Sequence, residues 1–169
     1  VSCLANADQP KKQLPFPGEV FAIEGRTAFL IQPDVKSPKE PMPWVWYAPT
    51  LRGLPDWAEK WMFERFLKAG IAIAGINVGE SYGSPKGRAL YSALHKHLVE
   101  KHGLAMLYSW AAENPDKVRC ITGIYPVCNI ASYPGLQRAS GAYGLNAEQL
   151  QAQLAKHNPI DRLAPLAKA

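Results

Sequence analysis

Gly79, Ser81 and Gly83 alternate in Gly79-Glu80-Ser81-Tyr82-Gly83, a literal match to G-x-S-x-G. In that pattern a serine hydroxyl sits on a tight strand-to-helix turn and attacks a carbonyl carbon. Amides at the start of the helix then hold the oxyanion that forms. The run before the motif, "IAIAGINV", reads as a buried strand, and the run from Pro85 reads as a helix. The spacing nevertheless argues against Ser81 as a nucleophile. Pro85 is the preferred first helical position and Ser84 its cap, so the helix starts four residues after Ser81 instead of at once. Tyr82 and Pro85 crowd a place where strand and helix must approach, and Glu80 would set a negative charge beside a developing oxyanion. The better reading is a glycine-rich loop lining a ligand cleft at the end of a strand.

The histidines offer no metal or relay constellation. His95 and His97 are two apart on a helix and face different directions, unlike an i, i+4 pair. His102 is near the end of the same helix, where a cation suits the dipole. His157, before Asn158-Pro159, reads as a C-cap residue. There is no phosphate-cradling glycine loop, dinucleotide fingerprint or Cys/His metal spacing, so neither cofactor nor metal is expected. Trp44, Trp46, Trp57, Trp61 and Trp110 read as core aromatics.

The elements that must position such a loop follow from periodicity. "EVFAIEGRTAFLIQP" holds two strand-like runs hinged at Glu24-Gly25, the pattern of an antiparallel hairpin. "VKSPKEPMP" is a proline-rich surface loop, and "WVWYAP" is apolar on both faces, as in a strand buried within a sheet. Asp56, with Glu59 three residues on, forms a capping box that opens the helix "WAEKWMFERFLKA", ended by Gly70. The strand and loop already described lead to a helix from Pro85 to Gly103. Strand, helix, strand, helix predicts a parallel sheet with crossover helices. The alternation then fails. "KHGL" runs straight into the helix-like "AMLYSWAAENPDKV", and only then does the strand-like "RCITGIYPV" appear. "NIASYPGLQRASGAYG" is a long irregular excursion. Asn146, with Gln149 in the capping-box position, opens a helix through Lys156, and "IDRLAPLAKA" forms a last short helix.

A chain of 169 residues is long enough for one real core and too short for two ordinary domains. Net charge is +5, but the lysines and arginines are scattered, with no stripe interleaved with aromatics, so nucleic acid is not an expected partner. No run approaches the ~18 to 20 apolar residues that span a bilayer. "VSCLANADQP" suggests export, because Val1–Leu4 could end an apolar segment and Ala5-Asn6-Ala7 fits a signal-peptidase site. A lipid-anchored Cys3 is the weaker alternative. Residues 1–13 thus read as a signal-peptide remnant or tail and 14–169 as one partial domain. Cys120 and Cys128 would lie ~26 Å apart on a strand, well beyond disulfide reach.

Four stretches together resemble the α/β-hydrolase superfamily, in particular bacterial esterases and prolyl-oligopeptidase-like members. "PWVWYAPTLRG" is similar to the strand and loop that supply one oxyanion-hole amide, and "GINVGESYGSPKG" to a pocket loop one strand before the elbow. "AMLYSWAAENPDKVRCITGIYPVC" is similar to the helix after the nucleophile and the next strand. "HNPIDRLAPLAKA" is similar to the segment before the catalytic-acid strand. The resemblance implies a mostly parallel sheet with helices on both faces and an N-terminal antiparallel hairpin, here incomplete. It implies a serine hydrolase of carboxylic esters, including O-acetyl groups on carbohydrate, or a peptidase. Thr50 and Leu51 become oxyanion-hole candidates, and Ser81, Tyr82, Tyr125 and Cys128 pocket-lining candidates. The family's nucleophile would stand between Leu104 and Ala105, where roughly 12 to 16 residues of strand and elbow are missing. Its acid and terminal histidine would follow Ala169. By family order only His157 comes late enough to serve as the base, and no acid loop precedes it. A binding module that kept the cleft and lost the triad is the other reading.

Overall fold

The computed structural model describes residues 11–34, 42–48, 53–102 and 129–162. The export segment at the N-terminus, the three cysteines, Trp110, Thr50, Leu51, Tyr125 and the Leu104–Ala105 junction lie outside the described residues.

Four strands form one sheet: β1 (Glu19–Ile23), β2 (Arg26–Ile31), β3 (Trp44–Trp46) and β4 (Ala72–Ile76), in the order β1-β2-β4-β3. The hairpin β1–β2 turns at Glu24-Gly25, with φ of 48° and 72°. Positive φ at both central residues matches the right-handed twist of the flanking strands. A 3-10 turn (Trp57–Glu59) leads into α1 (Lys60–Lys68), between β3 and β4, and α2 (Pro85–His102) follows β4. Asp56 Oδ1 accepts from Ala58 N–H at 2.7 Å and Glu59 Oε2 from Asp56 N–H at 2.8 Å, completing the capping box.

The expectation of a mostly parallel sheet is corrected. Of the three pairings among the described residues, only β3–β4 is parallel; β1–β2 and β2–β4 are antiparallel. The strand-helix-strand alternation correctly implies that β3 and β4 run the same way. It says nothing about which strand lies on the other side of β4, and the hairpin takes that place, with Ala28 opposite Ile76 and Ile31 opposite Ile73.

Period-two alternation divides the sheet into two apolar faces. Ala28, Leu30, Trp46, Ala72, Ala74 and Ile76 face α2 and pack with Leu90, Leu94 and Leu98. Phe29, Ile31 and Ile73 face α1 and pack with Phe63. All five residues of β4 are buried, so this strand is the spine of both layers. Each fully buried large side chain here contributes roughly 1.5–3 kcal/mol of transfer free energy. The aromatics divide differently from expectation. Trp46 is core, but Trp57 and Trp61 are 82% and 66% exposed, because α1 turns Phe63, with Met62, Phe66 and Leu67, toward the sheet.

Residues 129–162 build a smaller core of their own from Ile130, Ala139 and Leu150. Within the stretch expected to be irregular there is a helical turn, α3 (Leu136–Ala139), then a 3-10 turn (Ser140–Tyr143). The helix expected from Asn146 to Lys156 is two: α4 (Ala147–Ala152) and α5 (Leu154–His157), separated at Gln153, where φ is −108° and ψ 12°. Asn146 and Gln149 do form the capping box. His157 is the last residue of α5 and Asn158 the C-cap. Asn158 Oδ1 accepts from Ile130 N–H at 2.9 Å, closing the segment on itself.

Candidate functional site

Parallel neighbours β3 and β4 end at the same edge of the sheet, the place where open α/β sheets put ligands. The exit of β3 is tied to the start of α1 through Tyr47. Its hydroxyl hydrogen-bonds the Glu59 carboxylate of the capping box, and burial first, then that carboxylate, pushes the phenol well above the ordinary tyrosine range. The exit of β4 is the loop from Asn77 to Ser84, which carries Ser81 and Tyr82.

Short internal bonds shape that loop. Asn77 Oδ1 accepts from Gly79 N–H at 3.0 Å, Gly79 O from Ser81 N–H at 2.9 Å and Ser81 O from Ser84 N–H at 2.8 Å. Left-handed backbone falls at Gly79 (φ 65°), Tyr82 (46°) and Gly83 (73°). In a nucleophile elbow the serine itself takes the strained turn and the helix follows immediately. Here the strain is on its neighbours, and α2 begins at Pro85. Ser84, almost fully buried, caps the helix, with its Oγ 3.4 Å from Gly87 N. Arg88 Nη1 donates to Gly83 O. The Ser81 side chain lies against the first turn of α2, in space that a Cβ on Gly87 would occupy.

Tyr82 joins the loop to residues 129–162. Its ring packs against the small core there, beside Leu136, Tyr143, Leu145 and Leu154. Its carbonyl accepts the Tyr143 hydroxyl at 2.7 Å. The exposed Arg138 guanidinium hydrogen-bonds the Tyr82 hydroxyl, which raises the guanidinium pKa, with Tyr133 and Glu80 adding to the shift. Burial raises the Tyr143 phenol, opposed by the positive charges of Arg88 and Arg162. The buried His157 ring lies 4.9 Å from the Tyr143 ring.

Of the six sequence candidates, Ser81 and Tyr82 are adjacent in this loop; Thr50, Leu51, Tyr125 and Cys128 lie outside the described residues. His95 and His97 are partway along α2, 10 and 12 residues past Pro85, or roughly 15 and 18 Å along the helix axis. His97 stacks on Phe21 of β1 at 4.7 Å. Neither is placed to take a proton from Ser81. Among the described residues no group of three or more His, Cys, Asp or Glu could hold a metal ion, and no helix is long and apolar enough to cross a membrane. A shallow recess of about 360 Å³ is lined by Lys12, Leu14, Phe16 and their neighbours and shares no residue with the loop.

Sequence reasoning missed Gly87, Arg138 and Tyr143. Gly87 left a signal: glycine in a helix costs about 1 kcal/mol against alanine, so its presence in the first turn marks a close approach. Tyr143 left none, since its contact is 61 residues away along the chain.

Comparisons with protein-family models, curated proteins and solved structures gave no match.

Proposed function

We propose that this chain is part of a serine hydrolase of the α/β-hydrolase superfamily that cleaves carboxylic esters, O-acetyl groups on carbohydrate included. The observation that carries the reading is the neighbouring exits of parallel β3 and β4. One leads into the stretch that resembles an oxyanion-hole loop, and the other is the multiply bonded loop Asn77–Ser84. Supporting it are the four resembling stretches of sequence, which share one order along the chain.

In this chemistry a serine oxygen attacks the ester carbonyl and its proton passes to a histidine, which an acid orients. Backbone N–H groups hold the oxyanion, and the alcohol leaves with the proton. Water then repeats the attack on the acyl-serine and releases the acid. Ser81 is assigned to the pocket wall, because its side chain packs on Gly87 and its backbone lacks the elbow conformation.

The test is a fluorophosphonate probe on the natural full-length product, with the labelled peptide mapped by mass spectrometry. One adduct on a serine other than Ser81 is expected, and Ser81→Ala keeps both the adduct and ester turnover within about threefold of wild type. An adduct on Ser81 would overturn the assignment of the motif. No adduct on any serine and no ester turnover would reject the hydrolase in favour of a non-catalytic binding module.

A further inference from the structure

Tyr82 holds a left-handed backbone conformation, φ 46°, which is uncommon for a bulky side chain and persists where the surroundings over-determine it. Its surroundings come from another part of the chain. Tyr143, on the 3-10 turn Ser140–Tyr143, is seated by Ile130, Ala139 and Leu150 and by the His157 ring, and its hydroxyl reaches the Tyr82 carbonyl at 2.7 Å. That carbonyl is flanked by Gly83, whose own carbonyl is held by Arg88. The loop is thus gripped from α2 on one side and from the 129–162 segment on the other.

We propose that Tyr143 is a positioning residue: through its hydroxyl, the 129–162 segment sets the conformation of the Gly79–Gly83 loop and so the shape of the pocket wall. The pocket role rests on the hydrolase reading above; the grip of Tyr143 on the loop does not.

Tyr143→Phe in the natural full-length product removes the hydroxyl and leaves the ring packed. Hydrogen exchange followed by mass spectrometry then reads the Ser81 and Ser84 amides, whose acceptors lie inside the loop. Exchange there is expected to speed up about fivefold, the loss of one net hydrogen bond, with β2 and β4 unchanged. Arg138→Gln, which removes an exposed contact to the Tyr82 hydroxyl, is expected to leave loop exchange within about twofold of wild type. With a p-nitrophenyl ester, Tyr143→Phe raises KM about threefold and leaves kcat within about twofold.

Unchanged loop exchange in Tyr143→Phe overturns the proposal whatever the enzyme does. So does an equal acceleration across β2, β4 and the loop, which would make the hydroxyl a general stabiliser, or an effect as large from Arg138→Gln. If wild type shows neither turnover nor adduct, the hydrolase reading fails alone, and the exchange measurement still decides the role of Tyr143.

Discussion

Ser81 and Gly87 fit together so closely that a methyl group on Gly87 would stand 2.5 Å from Ser81 Cβ and 2.6 Å from its Oγ. Helix propensity alone favours alanine at position 87 by about 1 kcal/mol. Overpacking against a Cβ that cannot swing away costs about 1–3 kcal/mol and wins. Gly87→Ala is therefore expected to lower stability by roughly 1 kcal/mol in urea denaturation. Ser81→Gly added to it should recover most of the loss, whereas Ser81→Ala, which keeps the Cβ, should not.

Asp56→Ala removes the side-chain half of the capping box and leaves the Ala58 amide without its 2.7 Å acceptor. The expected loss is about 1 kcal/mol in the denaturation midpoint, the usual cost of an N-cap. Asp56→Asn or Asp56→Ser should retain most of the stability, because either side chain can accept the same bond.

The burial of Phe63 and the exposure of Trp61 on α1, with Trp57 exposed on the 3-10 turn before it, give a test of helix orientation. Phe63→Ala is expected to cost about 3–5 kcal/mol as a cavity between helix and sheet. Trp57→Ala should change stability by no more than about 0.5 kcal/mol. Trp61→Ala should cost slightly more, about 0.5–1 kcal/mol, because the Arg65 guanidinium sits 4.4 Å from its ring centroid. Equal losses from all three would mean that the helix is rotated.

Tyr91 packs edge-on against Trp46, and burial pushes its phenol from 10.0 up to about 12. The folded-state value lies above the unfolded one, so the stabilisation is fully present below pH 10. It is lost as pH rises from 10 through 12, an effect of up to roughly 2–3 kcal/mol. Denaturation curves at pH 8 and pH 11.5 should show this loss in the wild type. Tyr91→Phe should show a smaller one; the remainder belongs to other groups such as Tyr47, whose phenol is raised in the same direction.

The parts legible in the sequence are those specified locally. Glu24-Gly25 placed the hairpin, Asp56 with Glu59 and Asn146 with Gln149 placed helix starts, and Ser84-Pro85 placed the start of α2. Apolar runs marked β3 and β4. Partner choice was not legible: nothing in "RTAFLI" says that it will lie antiparallel beside β4. Nor was the exposure of Trp57 and Trp61, since a tryptophan's size favours burial only when its helical angle points it inward. The four-residue turn α3 lay hidden inside "NIASYPGLQRASGAYG", which read as irregular throughout. At the candidate site, the start of α2 four residues after Ser81 was legible, but the anchor of Tyr82 on Tyr143 was not.

That anchor also fixes an order of events during synthesis. Tyr82 leaves the ribosome 61 residues before Tyr143. At ~5–20 residues per second, roughly 3 to 12 s separate the two. The four described strands are made before that interval and the whole of α2 within it, while the Gly79–Gly83 loop still lacks the Tyr143 hydroxyl. A nascent chain halted before Tyr143 would thus carry the four described strands and α2 with the Gly79–Gly83 loop still unanchored, and the 3-10 turn Ser140–Tyr143 would fasten that loop only after the strands beside it are made.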